Sequence, residues 1–174
     1  MTEPSAVSWP PDPIRTKRLV LRDAAARDRP AFVDLFSSPE VGTYVGGARD
    51  REELERVMPE VPGQRPGVFV AELDGAMIGL VMLEQRPPDQ VRPDAGRFEL
   101  GYLFLPRAWG RGYAREACAA VLDWFARESA EEPVLLCTQS ANAASMRLAT
   151  TLGFTELERF EQFGAEQWLG VRVG

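Results

Sequence analysis

The stretch LFLPRAWGRGYAREA, residues 103–117, contains the strongest structural signal in this chain. An apolar run ends before Pro106, a glycine-rich turn follows at residues 110–112, and an amphipathic helix is predicted from there to about Glu128. Glycine lets the backbone approach a ligand closely. The first N–H groups of a helix have no partner within the helix and lie at the positive end of its dipole. The stretch therefore predicts a strand, a turn and a helix N-terminus that together bind an anion such as a pyrophosphate.

Three phosphate-binding motifs can be compared with this turn. A Walker A loop is excluded because no Gly-Lys-Ser/Thr sequence follows the glycines. A dinucleotide fingerprint requires Gly or Ala where Arg115 stands, and an acidic residue after the next strand, PVLLCT at residues 133–138, which ends without one. The remaining motif is R-x-x-G-x-G, present at residues 107–112, and Arg111 and Arg115 add positive charge around it. The alternative is a turn that only joins a strand to a helix.

Composition limits the chemistry that the chain can perform. The 174 residues include no histidine, which removes the usual general base, the Ser-His-Asp triad and most zinc sites, so we expect no metal. The net charge is −6 without a Lys/Arg-rich block, so a nucleic-acid partner is not expected. No apolar run approaches the roughly 20 residues of a membrane helix, so no membrane segment is expected. Cys118 and Cys137 lie in apolar segments and indicate no disulfide framework, which favours a cytoplasmic location.

The order of predicted elements indicates one mixed α/β domain. The proline-rich residues 1–13 predict a flexible N-terminal arm, and residues 14–174 predict a single domain. Within it, the hydrophobic patterns predict a strand, two helices, three strands, a helix, a strand, a helix and two strands, which would form a single sheet of about six to seven strands with flanking helices. Asp28, Asp50 and Asn142 are the predicted N-caps of three of these helices.

A second motif, SANAASMRLATTLGF at residues 140–154, indicates a family. It is similar to the N-x-x-S-x-x-L-x-x-x-L-G-F segment of the ribosomal-protein N-terminal acetyltransferase (Rim-type) branch of the GNAT superfamily. The R-x-x-G-x-G sequence resembles the acyl-CoA pyrophosphate loop of the same superfamily. Further segments resemble this branch in the expected order: TKRLVLR at 16–22, SSPEVGTYVG at 37–46, ELGYLF at 99–104 and WGRGYAREA at 109–117.

The resemblance implies the GNAT fold, in which a central pair of parallel strands splays apart. It implies an N-acetyltransferase that transfers the acetyl group of acetyl-CoA directly to an amine in a ternary complex, with the thioester between the strands at residues 97–104 and 133–138. Acetyl-CoA, as cosubstrate, would be bound by Leu103, Leu105, Arg107, Trp109, Gly110, Arg111, Gly112, Tyr113, Ala114, Asn142 and Ser145.

The resemblance also suggests catalytic residues. The attacking amine must lose a proton, so a base is required. Glu99, on the strand beside the thioester, is predicted as that base, with Glu84 as the second candidate. Ser145 is predicted to protonate the departing CoA thiolate, and a backbone N–H near Leu103 to stabilise the oxyanion. The alternatives are a salt bridge or a solvent-facing position for Glu99, and a hydrogen bond to its own helix backbone for Ser145.

Four other side chains each have two interpretations. Asn142 would hold the pantetheine arm or cap its helix, and the two roles are compatible. Tyr102 would line the site or belong to the core, and Trp168 would form a wall of the acceptor pocket or fill the core. Cys137 has no histidine to activate it as a nucleophile, so we predict that it is a small apolar core residue.

The acceptor is predicted to be an amine, either a protein N-terminus or a small molecule such as a polyamine, an amino acid or an amine antibiotic. The alternative function is a non-catalytic acyl-CoA-binding sensor or partner module, which would keep residues 107–114 and need neither Ser145 nor Glu99. A nucleotide-dependent oxidoreductase is a third hypothesis. A homodimer through the sheet edge or the C-terminal hairpin is a further hypothesis.

Overall fold

A single sheet organises the molecule in this computed structural model, which describes residues 8–87, 96–129 and 132–173. The sheet has eight strands: β1 (Ile14–Arg15), β2 (Val20–Arg22), β3 (Val68–Leu73), β4 (Ala76–Gln85), β5 (Phe98–Phe104), β6 (Val134–Gln139), β7 (Thr155–Gln162) and β8 (Ala165–Arg172). Their order across the sheet is β1-β2-β3-β4-β5-β6-β8-β7. The predicted count of six to seven strands was low because β1, with two residues, is too short to show an alternating pattern.

The helices begin where the sequence predicted, with one addition. They are α1 (Arg29–Ser37), α2 (Pro39–Gly42), α3 (Arg51–Val57), α4 (Tyr113–Glu128) and α5 (Ala143–Thr151). Asp50 and Asn142 cap α3 and α5 as predicted, since each side chain accepts a backbone N–H from the residue three positions on. Asp28 precedes α1 but does not cap it; its carboxylate accepts hydrogen bonds from Arg22 and from the Ala25 N–H instead. The single turn α2 was not predicted.

The core lies on both faces of the sheet. On one face, α4 and α5 pack against the central strands, and α1 and α3 lie on the other. The helix α4 buries the stripe predicted from its spacing, and the Phe125 ring contacts Phe98 of β5 with centroids 4.9 Å apart. Burying a side chain of this size stabilises the fold by roughly 1.5–3 kcal/mol. The packing of α4 therefore fixes its N-terminus at the end of β5.

The strands β5 and β6 form the one parallel pair among the described residues, and this pair is short. Pairing ends at Glu99 and Leu135, after which β6 continues alongside β8. Residues 101–103 and 137–139 are partly exposed although both strands lie in the middle of the sheet. The sheet therefore opens between β5 and β6, as the resemblance to GNAT proteins implied.

The N-terminal segment is anchored to the domain before β1 begins. Residues 1–7 of the predicted arm lie outside the described residues. Trp9, within the same predicted arm, packs edge-on against Phe69 of β3 with ring centroids 5.0 Å apart. The division into an arm of residues 1–13 and a domain of residues 14–174 stays a prediction. In the described part of the chain, no helix has the length and apolar character needed to cross a membrane.

Candidate active site

The turn between β5 and α4 presents a row of free backbone donors. Gly112 is the N-cap of α4, with a φ of 78° in the left-handed region, and it makes no side-chain capping bond. Within the described part of the chain, the backbone N–H groups of residues 110–115 have no hydrogen-bond partner. A Cβ built on Gly110 would meet no atom within 4 Å, so the space above the turn is open. These donors, at the positive end of a 16-residue helix, suit a pyrophosphate.

The side chains beside this turn differ in how they are held. Arg107 donates from Nη2 to the Met77 carbonyl oxygen at 3.3 Å, and it lines a cavity of about 370 Å³ together with Leu105. Trp109 is 50% exposed and donates from Nε1 to the Phe104 carbonyl oxygen at 2.8 Å. The tryptophan therefore fixes the turn against the end of β5 and leaves its ring at the surface beside the free N–H groups.

Two hydroxyl groups meet between α5 and the part of β5 that no longer pairs with β6. Ser145, in the first turn of α5, is 8% exposed, and its Oγ is hydrogen-bonded to Tyr102 Oη of β5. The serine therefore does not bond to its own helix backbone, which was the predicted alternative. Burial raises the pKa of Tyr102 to about 12, against the opposing effect of the Ser145 hydrogen bond, so the phenol is protonated at neutral pH.

Glu99 lies on the other face of β5 from Tyr102, because alternate residues of a strand point to opposite faces. It stands opposite Glu84 of β4, and its Oε2 is 3.8 Å from Arg86 Nε. Burial raises the pKa of Glu99; Arg86 opposes this shift and Glu84 adds to it. Glu84 itself binds Arg65 through two hydrogen bonds of 2.7 and 3.1 Å. The salt-bridge alternative for Glu99 is therefore present, while the second candidate base is already paired.

The backbone of β5 presents donors to the opening at alternate residues. Leu105 donates its N–H to the Ile78 carbonyl oxygen at 2.9 Å, so its N–H faces β4. Because N–H directions alternate along an antiparallel ladder without register shifts, the Leu103 N–H also faces β4. The N–H groups of Tyr102 and Phe104 therefore point away from β4, toward the opening between β5 and β6.

The remaining sequence candidates lie in or near the core. Trp168 is 5% exposed and belongs to the core beneath α4 and α5, so the core interpretation is correct. Burial, and secondarily Glu99, raises the pKa of the half-buried Cys137 thiol, which keeps it protonated. Over the described ranges, no group of three or more His, Cys, Asp or Glu residues is arranged to hold a metal ion.

Sequence patterns alone left Tyr102 with two interpretations and Arg18 with no role. Tyr102 is 43 positions from its partner Ser145, and a tyrosine in a buried strand is equally typical of a core. Arg18, in the loop before β2, donates to the Arg111 carbonyl oxygen 93 positions away. No local spacing connects such distant residues, and the one signal for Arg18 was its place in the TKRLVLR segment.

Comparisons with known proteins identify the family and the fold. Residues 18–155 match the acetyltransferase (GNAT) domain family. The uncharacterized protein YkkB of Bacillus subtilis is 32% identical over 145 residues, which are 79% of this chain and 82% of that protein. The FsC-acetyl coenzyme A-N(2)-transacetylase of Aspergillus fumigatus is 28% identical over 84% of this chain and 66% of its own length.

Solved structures have the same fold. The acetyltransferase from Agrobacterium tumefaciens superposes with a TM-score of 0.75 and 26% identity, over 96% of this chain and 97% of that one. The ribosomal L7/L12 alpha-N-protein acetyltransferase RimL, in complex with coenzyme A, superposes with a TM-score of 0.72 over 93% of this chain and 98% of that one. Its identity of 16% shows a common fold alone.

The chain belongs to the GNAT acetyltransferase family. It is an acetyl-CoA-dependent N-acetyltransferase, with the mixed α/β fold and the short parallel pair of that family. The turn at residues 110–115 fits a CoA pyrophosphate, because its unpaired N–H groups and open space match the needs of a dianionic ligand.

Proposed function

We propose that this enzyme binds acetyl-CoA in the opening between β5 and β6 and transfers the acetyl group directly to an amine in a ternary complex. The observation that carries the proposal is the arrangement around this opening. Unpaired N–H groups at residues 110–115 lie at one end, and the Tyr102–Ser145 hydroxyl pair lies beside it. A binding module would need the first feature and not the second, so the hydroxyl pair favours an enzyme over an acyl-CoA sensor.

The proposed cosubstrate contacts follow the predicted set. The pyrophosphate would lie on the N–H groups of Gly110, Arg111, Gly112, Tyr113 and Ala114, with Arg107 and Trp109 beside the turn. The pantetheine arm would run along the open edge of β5 near Leu103 and Leu105 and reach Asn142. The Asn142 Oδ1 accepts the Ser145 N–H at 3.2 Å, which leaves the amide NH₂ group free to bind a pantetheine carbonyl.

The proposed chemistry uses both faces of β5. The amine nitrogen bonds to the thioester carbon while Glu99, directly or through a water, accepts a proton from that nitrogen. The N–H of Tyr102 or Phe104, rather than that of Leu103, donates to the developing oxyanion. As the carbon–sulfur bond breaks, Ser145 gives its hydroxyl proton to the CoA sulfur and recovers one from Tyr102. Solvent then reprotonates Tyr102 and takes the proton from Glu99, so that both groups are ready for the next turnover. The raised pKa of Glu99 suits a base, because it increases the proton affinity of the carboxylate, and the raised pKa of Tyr102 keeps the phenol protonated at neutral pH.

We also propose that the chain belongs to the Rim-type branch and that its acceptor is a protein N-terminus or a small-molecule amine. The segments that resemble this branch support the first part, and the proposed base Glu99, on the face of β5 opposite Tyr102, supports an amine acceptor. A cytoplasmic location is consistent with two free cysteines, of which Cys118 is buried.

A homodimer is likewise a proposal. The sheet ends in β7, whose outer edge is exposed along most of its length, and Phe163 at the tip of the β7–β8 hairpin is 89% exposed. Size-exclusion chromatography with light scattering distinguishes a monomer from a dimer, because a dimer has twice the 19.3 kDa mass of the chain.

The first test is calorimetric titration with acetyl-CoA, followed by thiol release against a panel of peptide N-termini, polyamines, amino acids and amine antibiotics. We expect binding with a stoichiometry of one per chain and thiol release with at least one acceptor class. Binding together with no release from any acceptor class would support the sensor. Absence of binding would refute the cosubstrate assignment.

A further inference from the structure

The first turn of α4 is tied to the segment between β1 and β2 through one carboxylate. Glu116 Oε2 accepts hydrogen bonds from Thr16 Oγ1 at 2.6 Å and from the Arg18 N–H at 2.9 Å, and its Oε1 accepts from Arg18 Nε at 2.7 Å. Burial opposes ionisation of this carboxyl, but the three hydrogen bonds outweigh it and lower the pKa of Glu116. A charged Glu116 therefore stands one turn from the proposed phosphate site.

The Arg18 guanidinium is held on both sides of Gly112. Its Nη1 donates to the Arg111 carbonyl oxygen at 2.8 Å, and its plane lies over the Tyr113 ring with Cζ 4.4 Å from the centroid. Together with the Nε bond to Glu116, these contacts fix the guanidinium in one orientation. The side chain is still 38% exposed, so it borders solvent rather than the core.

The remaining guanidinium nitrogen of Arg18, Nη2, is available to bind a ligand. Arg18 Nη2 has no hydrogen-bond partner among the described residues, and it lies 3.4 Å from the point where a Cβ of Gly112 would stand. Gly112 is in the middle of the unpaired N–H groups at residues 110–115. The free donor of Arg18 therefore lies next to the middle of this row of N–H groups.

We propose that Arg18 is a pyrophosphate-binding residue, which donates from Nη2 to the diphosphate of acetyl-CoA and shields it from the charge of Glu116. This inference rests on the proposed cosubstrate site. A guanidinium whose other nitrogens are already bound is preorganised for this contact, and hydrogen bonds between charged groups are stronger than neutral ones. Without Arg18, the carboxylate of Glu116 would repel the phosphates across a short distance.

The test compares three cosubstrates on Arg18→Gln: acetyl-CoA, acetyl-dephospho-CoA, which lacks the 3′-phosphate, and S-acetylpantetheine, which lacks all phosphates. We expect KM to rise roughly tenfold for the first two and to stay unchanged for the third. An effect on acetyl-CoA alone would assign Arg18 to the 3′-phosphate and overturn the proposal. An equal effect on all three would mean that Arg18 is structural, which also overturns it.

Two further variants separate charge from folding. Arg18→Lys should recover part of the lost affinity, and adding Glu116→Gln to Arg18→Gln should recover part as well, because it removes the repelling carboxylate. Failure of both recoveries would refute the shielding role. Arg27→Gln is the matched control, since Arg27 binds Glu72 and the Gly75 carbonyl oxygen away from α4. If the wild-type protein does not bind acetyl-CoA, the proposed function fails; if it binds and Arg18→Gln binds equally well, the Arg18 assignment alone fails.

Discussion

Tyr102 Oη of β5 and Ser145 Oγ of α5 are hydrogen-bonded to each other beside the opening between β5 and β6. The tyrosine is on the central strand that lines the cleft, and the serine is in the first turn of a helix whose start is fixed by Asn142. Ser145 is buried and Tyr102 is partly buried, and burial raises the pKa of the phenol to about 12. In the proposed mechanism, this pair donates a proton to the departing CoA thiolate.

Replacing Ser145 by alanine should lower kcat roughly tenfold or more and leave the Kd for acetyl-CoA nearly unchanged, because the hydroxyl acts on the departing thiolate. Tyr102→Phe should have a smaller effect in the same direction. Steady-state kinetics with calorimetric titration measures both quantities. Thr150→Ala is the control, since that hydroxyl bonds to the Met146 carbonyl oxygen on the exposed side of the same helix. Unchanged turnover in Ser145→Ala would remove Ser145 from the mechanism.

Gly112→Asp should abolish acetyl-CoA binding at concentrations that saturate the wild type. The change adds bulk and negative charge among the unpaired N–H groups and forces a side chain onto a φ of 78°. Gly112→Ala adds the backbone strain without the charge, so it should weaken binding by a smaller factor. Titration calorimetry, with melting temperatures to verify folding, gives both values. Wild-type affinity in Gly112→Asp would contradict the pyrophosphate assignment.

The pH profile of kcat should have an acid limb set by Glu99. A base must be ionised to accept a proton, so activity falls as pH drops through its pKa, and burial raises the pKa of Glu99 above the ordinary value. Glu99→Gln should lower kcat and remove this limb. Glu84→Gln should move the limb to lower pH, because Glu84 contributes to raising the pKa of Glu99. An identical limb in Glu99→Gln would assign the base elsewhere.

Arg22→Met should reduce the free energy of unfolding by roughly 3 kcal/mol, because it leaves the buried Asp28 carboxylate without its partner. Arg22 donates to Asp28 through two nitrogens at 2.8 Å, and Asp28 is 3% exposed. Urea denaturation at pH 7 measures the loss. Arg27→Gln, a surface arginine that binds Glu72, should cost less than about 1 kcal/mol.

The ion pair between Arg22 and Asp28 also predicts a pH dependence of stability. Burial alone would raise the pKa of Asp28, but hydrogen bonds from Arg22 and from the Ala25 N–H hold it below its ordinary value. A carboxyl with a lowered folded-state pKa contributes stability above its unfolded-state pKa of about 3.9, and loses it as pH falls through the lowered value. The difference in the free energy of unfolding between the wild type and Arg22→Met should therefore shrink below about pH 4. A constant difference would show that the ion pair is not its source.

Local sequence patterns predicted most of the helices and strands, but they did not predict all of the contacts that these elements make. The spacing of apolar residues and the caps at Asp50 and Asn142 are features of one helix, so they can be read without tertiary structure. Asp28 precedes its helix as predicted, yet its carboxylate binds Arg22, because a charged partner on β2 competes with the helix N-terminus. The strand β1 has two residues, too few for any periodic signal.

By itself, the sequence determined the order of the longer elements, the starts of four helices and the glycine turn at residues 110–112. These depend on backbone propensities and on spacing within a few residues. Only the tertiary structure decided that Tyr102 meets Ser145, that Glu99 faces Arg86 and that Arg18 lies beside Gly112. Such contacts join strands and helices far apart in the chain, and they depend on which elements pack together and on where β5 and β6 separate. The physical reason is that side-chain chemistry is local, whereas the distance between two side chains is a property of the whole packed sheet.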